Sequence, residues 1–113
     1  MPDDSDGAVM AVLTTVPDAA AAEALATRLV EERLVACVTI LPGATSIYRW
    51  EGEVRRESEA LLVLKTTEAA VRRLRDRIIE LHEYAVPEVL ALHVPVGSDA
   101  YLDWVRAEVR PAP

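Results

Sequence analysis

The sequence contains 113 residues, of which 51% are hydrophobic, and carries a formal net charge of −7. This length suits one domain that buries roughly two-thirds of its unfolded surface, and it leaves no room for a second domain. The 19 acidic residues outnumber the 12 basic ones, which argues against a general nucleic-acid binder, because such a surface concentrates Lys and Arg.

Composition also bears on the compartment. No apolar run approaches the ~20 residues that a membrane-spanning helix needs. The first residues, MPDDSDG, are acidic where a secretory signal is basic and then apolar. We therefore expect a cytoplasmic protein with a disordered tail at residues 1–7 and one domain at residues 8–113. The single cysteine, Cys37, excludes a disulfide framework and a cysteine-based zinc site within one chain.

The first predicted elements are a strand and a helix. Residues 8–15 form a nearly continuous apolar run, which is typical of a central strand buried on both faces of a sheet. Pro17 suits the first turn of a helix and Asp18 suits its cap, so a helix is predicted from there to about Arg33. Its buried stripe consists of small and aliphatic residues at helical spacing, namely Ala22, Leu25, Ala26 and Leu29.

Residues 35–65 predict two long strands joined at a two-residue loop, Glu51-Gly52. Counting outward from this loop pairs Trp50 with Glu53, and it pairs Leu41 with Leu62 if no bulge intervenes. Pro42-Gly43 predicts such a bulge, because Pro cannot donate to a ladder and Gly admits unusual backbone angles. The register should therefore shift beyond this point.

The length of this hairpin predicts self-association. Sixteen residues from Val35 to Trp50 span roughly 50 Å when extended. A domain of this size has a radius of gyration of about 13 Å and is roughly 35 Å across, so it cannot cover the whole hairpin. An isolated two-stranded ribbon is marginal in water, and this one carries Ile47, Tyr48 and Trp50 near its end. Another chain should cover it.

The remaining elements are two helices and a strand. Thr66 or Thr67 should cap a second helix with an apolar stripe and a charged outer side. The stripe contains Val71, Leu74, Ile78 and Leu81, and the residues expected to face water are Arg72, Arg73, Asp76, Arg77 and Glu80. Pro87 predicts an extended connection to a fourth strand at residues 89–94. Ser98 should cap a last helix that ends near Val109.

The order strand, helix, strand, strand, helix, strand, with an extra helix, predicts an α+β domain of the ferredoxin-like split βαβ type. In this arrangement the first and third strands lie inside the sheet, in agreement with their unbroken apolar runs, AVMAVL and ALLVL. The second and fourth strands are edges, and an edge that carries a long arm favours pairing with another chain.

Several motifs resemble the CutA divalent-ion tolerance family, in order along residues 9–109. The matching stretches are Glu31-Glu32-Arg33-Leu34, Ala36-Cys37-Val38, Leu41-Pro42-Gly43, Ser46-Ile47-Tyr48-Arg49-Trp50-Glu51-Gly52, Lys65-Thr66, His82, Tyr84, Val86-Pro87-Glu88 and Tyr101-Leu102-Asp103-Trp104. The resemblance implies a ferredoxin-like subunit in a homotrimer, with long hairpins that extend one subunit's sheet into the next. It also implies a non-catalytic role in tolerance of copper or other divalent ions.

The copper site proposed for some family members resembles a Cys at the end of the first strand and a His pair just ahead of a Pro-Tyr dipeptide. Here these places read Thr14, Leu81 and His82, so two of the three implied ligands are missing. Glu83 also replaces the Pro that follows the histidine in the family. The sequence therefore predicts that Cu²⁺ binds weakly or only at subunit contacts.

Each remaining metal candidate has a simpler interpretation. His82 could ligate a borderline metal, or its charged form could interact with the negative end of the second helix. Cys37 is the only thiolate candidate, but free cysteine in an apolar strand usually acts as a small hydrophobe. His93 should be a solvated or interface histidine on one face of the fourth strand.

A cleft between subunits is a further hypothesis. Tyr84, Glu88 and Lys65 come from segments at the ends of the sheet, and Tyr48 and Trp50 would come from a neighbouring subunit. An ordinary interface is the alternative, because aromatic residues are enriched there. Three classes remain open, namely a metal-tolerance trimer, a PII-like or ACT-like binder of a small ligand, and a trimeric scaffold for proteins. An enzyme is not expected, because no phosphate loop, serine elbow or zinc-protease motif is present.

Overall fold

The computed structural model describes residues 7–111, which form a four-stranded antiparallel sheet with α1 and α2 on one face. The elements in chain order are β1 (Val9–Val16), α1 (Ala19–Glu31), β2 (Cys37–Trp50), β3 (Glu53–Thr67), α2 (Val71–Leu81), β4 (Leu90–His93) and α3 (Asp99–Glu108). The sheet order β2-β3-β1-β4 confirms the predicted ferredoxin-like fold, with β1 and β3 inside and β2 and β4 at the edges. None of the helices in this range is long and apolar enough to cross a membrane.

The predicted tail lies outside the described residues, apart from Gly7. Gly7 is in a turn, and its carbonyl accepts a hydrogen bond of 2.6 Å from Nε of Arg106 in α3.

The face of the sheet under α1 and α2 holds the main core. Val12, Leu62 and Leu64 are at most 1% exposed there, packed against Leu29 of α1 and Leu74 of α2. The other face is different, since the side chains of β1 that alternate with this set are only partly buried, apart from Val9, which packs near α3. The prediction that β1 is buried on both faces is therefore wrong for one subunit, because only α3 packs on the second face, near one end of the sheet.

Both ends of α1 are fixed by local hydrogen bonds. Asp18 is the cap residue, as predicted, and its carboxylate accepts from the backbone N–H of Ala21 at 2.8 Å. At the other end Arg33 has a positive φ of 59°, and the N–H of Leu34 bonds to the carbonyl of Leu29. This is a helix-terminating turn of the Schellman type, in which an Arg takes the place usually held by Gly.

The hairpin contains both predicted irregularities. Leu41 pairs with Leu61 and Ala44 pairs with Glu59, so the register shifts at Pro42-Gly43. The loop residues Glu51 and Gly52 both have positive φ, 51° and 80°, as a type I′ turn requires. Trp50 faces Glu53 in the register, as predicted.

Beyond the bulge, the hairpin projects from the body. We call residues 44–59 the arm. The described molecule measures 51 × 26 × 25 Å with a radius of gyration of 14.8 Å, which exceeds the value of about 13 Å for a globule of this length. The prediction that the body cannot cover the whole hairpin is thus confirmed.

The start of α2 differs from the prediction. β3 continues to Thr67, and a short 3-10 turn at Glu68–Ala70 precedes α2. The hydroxyl of Thr66 is buried and donates to the carbonyl of Leu34 at 2.8 Å, while Thr67 makes no capping bond with its side chain. Thr66 does not cap the helix because it lies within a strand, beside a loop carbonyl that needs a donor.

Three smaller differences concern the exposed side of α2, α3 and β4. Arg77 was expected to face water, but it is partly buried and binds Glu32 with two hydrogen bonds of 2.9 and 2.8 Å. Ser98 precedes α3, but only its backbone carbonyl accepts a bond, from the N–H of Leu102. β4 covers only Leu90–His93 of the predicted 89–94.

Candidate functional site

The second face of the sheet, which we call the open face, is apolar and largely uncovered. Near one end of the sheet, Val105 of α3 packs against Val9, Ala36 and Ala70. Elsewhere β4 leaves Leu90 and Leu92 exposed at 52% and 51%. By register, the side chains that share this face are Leu13, Leu41, Leu61, Val63, Leu90 and Leu92. Apolar surfaces of this kind are typical of interaction sites.

The open face continues onto the arm, where it becomes polar. Glu59 and Glu57 follow the same alternation along β3 as Leu61, and Tyr48 lies opposite Arg55 between them and the tip. The hydroxyl of Tyr84 donates to Glu59 at 2.8 Å, and the hydroxyl of Tyr48 donates to Glu57 at 2.8 Å. The Tyr84–Glu59 pair therefore lies at the boundary between the body and the arm, and the Tyr48–Glu57 pair lies within the arm.

The two pairs differ in burial. Glu59 is only 7% exposed, whereas Glu57 is exposed. Burial and the hydrogen bond to Glu59 raise the pKa of Tyr84, and the hydrogen bond to Glu57 raises the pKa of Tyr48. Both phenols are hence protonated hydrogen-bond donors at neutral pH.

His82 fastens the segment after α2 to the end of β1. Its Nδ1 accepts from the backbone N–H of Tyr84 at 3.1 Å, and its Nε2 lies 2.7 Å from the carbonyl oxygen of Thr15. Because Nδ1 is an acceptor, the proton is on Nε2, which donates to Thr15. The ring also contacts that of Tyr84, with centroids 4.6 Å apart. A metal ion could reach a ring nitrogen only by breaking one of these two bonds.

The other positions implied by the family copper site do not supply donors beside His82. Thr14 is fully buried on the face under α1 and α2, with no partner for its hydroxyl within residues 7–111, and Leu81 packs against the core. No group of three or more His, Cys, Asp or Glu residues is close enough to hold a metal in the part of the chain that the structure describes. The residues of one subunit therefore do not fit the family-type copper site.

Cys37 and His93 lie in separate places. Cys37 is partly buried on the open face, not in the core, and its Sγ is 3.3 Å from the hydroxyl of Tyr101 in α3. This hydrogen bond, together with burial, raises the pKa of Tyr101 to about 12. His93 is exposed on β4, opposite Met10 in the register.

The structure brings together only part of the predicted cleft. Tyr48 and Tyr84 donate to two neighbouring carboxylates on the same face of β3. Lys65 is not near them, because it lies six positions after Glu59, about 20 Å along the strand. Lys65 instead donates to the hydroxyl of Thr39 at 2.8 Å. Trp50 lies near the tip, about 40 Å from Lys65 by the same rise per residue, so one subunit cannot unite these two residues.

Glu88, the fifth cleft candidate, is exposed in the connection before β4. Its position leaves it available to a neighbouring chain.

Sequence reasoning missed Glu57, Glu59 and Tyr101. A signal for Glu59 was present, since it alternates with Leu61 and Val63 and precedes the apolar run of β3 directly. An acidic residue in phase with an apolar face, and next to the buried run of β3, predicts a carboxylate that needs a hydrogen-bond partner. Tyr101 gave no such signal, because its contact with Cys37 joins residues 64 positions apart.

Taken together, the sheet order, the long bulged hairpin and the open face define a ferredoxin-like α+β protein whose sheet extends beyond its own body. The family model described as CutA1 divalent ion tolerance protein matches residues 10–108. The chain therefore belongs to the CutA1 family.

Named relatives agree with this assignment. The Divalent-cation tolerance protein CutA of Thermus thermophilus is 54% identical over 95 residues, which cover 84% of this chain and 92% of that protein. The solved structure of CutA1 from Oryza sativa has a TM-score of 0.91 at 40% identity and covers 93% of this chain and 96% of that one. The periplasmic divalent cation tolerance protein CutA from Archaeoglobus fulgidus has a TM-score of 0.87 at 31% identity and covers 90% and 99%.

Proposed function

We propose that this chain is a divalent-cation tolerance protein that works as a homotrimer, with the open face and the arm as the subunit contacts. The observation that carries the proposal is the uncovered apolar surface at Leu41, Leu90 and Leu92, on the same face as the polar residues of the arm. Family membership supports the role in cation tolerance, and two edge strands with free backbone groups support pairing between chains.

The assembly is tested by light scattering on dilute protein. We expect about three times the subunit mass of 12.4 kDa. Leu92→Asp places a charge on the open face and should lower the mass to that of one subunit without unfolding it, because Leu92 is half exposed in the subunit. Val96→Asp is the matched control, since Val96 is exposed in the loop after β4. A wild-type mass of one subunit contradicts the proposal.

Copper or another divalent cation should bind at contacts between subunits rather than within one. His82, His93 and Cys37 lie on different parts of the fold, so the donors of one subunit do not converge. A threefold assembly can bring copies of His82 towards one another only in a trigonal arrangement, unless the metal lies off the axis. Carboxylates such as Glu83 and Glu88, both exposed, would complete a site of low affinity.

Calorimetry with Cu²⁺ under reducing conditions tests this binding mode. We expect weak binding by the wild type and a modest change in His82→Ala. Submicromolar binding that His82→Ala abolishes would show instead that His82 anchors a strong site.

A second candidate function is the binding of a small ligand between subunits, as in PII-like or ACT-like proteins. The buried Glu59 favours it, because a carboxylate held by Tyr84 on an otherwise apolar face resembles a polar anchor. A neighbouring arm would add Tyr48 and Trp50 to this cleft, and the exposed Glu88 is available to it, whereas Lys65 lies about 20 Å from Glu59 along β3. Calorimetry with common nucleotides tests this cleft, with Trp50→Ala as the variant and Trp104→Ala as the control. If neither Cu²⁺ nor nucleotides bind, a scaffold for protein partners is the remaining class.

The proposal places this non-catalytic role in the cytoplasm. The family description names tolerance and no reaction, and the free thiol of Cys37 suits a reducing compartment. The name of the Archaeoglobus fulgidus relative specifies the periplasm for that protein. Cell fractionation decides between the two compartments for this chain.

A further inference from the structure

A groove rich in arginine lies on the helix side of the molecule, away from the open face. It is formed by α2, the turn between α1 and β2, and the segment after α3, and its volume is about 590 Å³. The residues that shape it include Leu34, Arg73, Asp76, Arg77, Glu80 and Arg110. A volume of this size is in the range of small-molecule sites.

The acidic residues of the groove are already neutralised. Glu32, beside the groove, binds Arg28 at 2.7 Å and Arg77 at 2.8 Å, and Glu80 binds Arg77 at 3.0 Å. Asp76 is bound by Nε of Arg75 at 2.9 Å. The charges of Arg77 and Asp76 are therefore compensated by their neighbours.

Two arginines of the groove keep uncompensated charge. Within residues 7–111, the guanidinium groups of Arg73 and Arg110 have no carboxylate partner. Nε of Arg73 is moreover buried without any hydrogen-bond acceptor there. These two guanidinium groups therefore leave positive charge at the groove that a bound anion would balance.

Hydrogen bonds to backbone groups fix the side chain of Arg73 and the main chain at Arg110. Nη2 of Arg73 donates to the carbonyl of Arg110 at 3.1 Å, and the N–H of Arg110 donates to the carbonyl of Arg33 at 2.8 Å. Arg33 in turn donates to the carbonyls of Ala107 and Glu108 at the end of α3. The groove is thus built by contacts between three segments rather than by one mobile loop.

We propose that this groove binds the phosphate group of a small phosphate monoester, through Arg73 and Arg110. Guanidinium groups match phosphate oxygens with paired hydrogen bonds, and the groove leaves room for an organic group beside the phosphate. A local positive site in a chain of net charge −7 indicates selection of a small anion, not of a nucleic acid. The site shares no residue with the cation or cleft proposals.

The test is calorimetry on the full chain in low salt with EDTA, so that the result does not depend on metal binding. Adenosine 5′-monophosphate, inorganic phosphate and adenosine are the three probes. We expect the monophosphate to bind more tightly than inorganic phosphate and adenosine not to bind. Equal binding of both phosphates would show a site for free phosphate. Equal binding of the monophosphate and adenosine would overturn phosphate recognition.

Variants identify the residues. Arg110→Gln removes an exposed guanidinium and should weaken monophosphate binding about tenfold to a hundredfold. Arg73→Gln should have a similar effect. Arg72→Gln is the matched control, because it removes the same charge from the adjacent position of α2, outside this groove. Absence of phosphate binding at millimolar concentration, or equal losses in Arg72→Gln and Arg110→Gln, would overturn the proposal.

Discussion

The two halves of the β2–β3 hairpin have the same ladder but different surroundings. Below the bulge, β3 lies between β2 and β1, and Leu62 and Leu64 are covered by helices. Beyond the bulge, the arm pairs only with itself, and Ile47 and Val54 are exposed at 64% and 66%. Hydrogen bonds join β2 and β3 in both halves, but only the body half of β3 also pairs with β1 and buries apolar side chains under helices.

This difference shows what a strand pair needs. A ribbon of two strands contributes little stability by itself, because ordering its residues costs about as much as its contacts return. The body half buries its apolar side chains within one chain, and in the proposed trimer a neighbouring chain would cover the arm half. The following predictions test this contrast, and they are made on the Leu92→Asp subunit where a single chain is needed.

The largest effect is expected in the body. Leu64→Ala removes a fully buried side chain and should lower the free energy of unfolding by about 2–5 kcal/mol. Ile47→Ala, its counterpart in the arm, should change it by less than about 0.5 kcal/mol in the single subunit. Denaturant unfolding measures both. Comparable losses of unfolding free energy in the two variants would contradict the difference between the body and the arm.

At the boundary, Tyr84→Phe removes the hydroxyl that donates to Glu59. It should cost about 1–3 kcal/mol, because Glu59 is buried and loses a partner. Tyr48→Phe is the matched change in the arm and should cost less, since water can solvate Glu57. Denaturant unfolding measures both changes. A larger loss of unfolding free energy in Tyr48→Phe than in Tyr84→Phe would contradict the placing of the boundary at Tyr84 and Glu59.

The periodic parts of the fold could be predicted from sequence. The apolar runs of β1 and β3 placed them inside the sheet, and Pro42-Gly43 placed the bulge, because these are local rules of backbone geometry. The length of the arm followed from the rise per residue alone.

The site could not be predicted to the same extent, because its contacts join distant residues. Nε2 of His82 bonds to the carbonyl of Thr15, 67 positions away, and Nδ1 accepts from the N–H of Tyr84. These bonds occupy both ring nitrogens, which the sequence alone leaves available to a metal. Thr66 fits the sequence pattern of a helix cap, but in the structure its hydroxyl donates to the carbonyl of Leu34. Such partners depend on packing rather than on local pattern.

A third prediction concerns pH and the body. Arg77, and to a lesser extent Arg28, lowers the pKa of Glu32 from 4.5 to about 2. A carboxylate with a lowered pKa stabilises the fold above its ordinary pKa, and this contribution is lost as the pH falls from about 4.5 to 2. At neutral pH the free energy of unfolding of the wild type should exceed that of Glu32→Gln by about 1–2 kcal/mol. The difference is not larger because Glu32 is 27% exposed, which permits some screening by solvent.

Unfolding across this pH range measures the difference between the two proteins. It should shrink below pH 4.5, and a constant difference would contradict the assigned role of Glu32. Glu80→Gln serves as the control, because it removes the other, exposed carboxylate that binds Arg77.

The smallest effect is expected at the tip of the arm. Glu51 has a positive φ, which Asn adopts more readily, so Glu51→Asn should stabilise the turn by about 0.5 kcal/mol. The exposed contact of Glu51 with Arg55 at 3.8 Å adds little against this gain. Gly52→Ala should have the opposite effect at φ 80°. Hydrogen exchange of the tip amides reports both changes, and faster exchange in Glu51→Asn would contradict the turn assignment.

The central claim is that the arm depends on other chains while the body does not. Hydrogen exchange of the arm, residues 44–59, compared with that of β1 in the wild type and in Leu92→Asp, tests it most directly. We predict that dissociation strongly reduces protection of the arm and leaves the amides of β1 protected. Equal protection of the arm in the assembled protein and in the single subunit would contradict the claim.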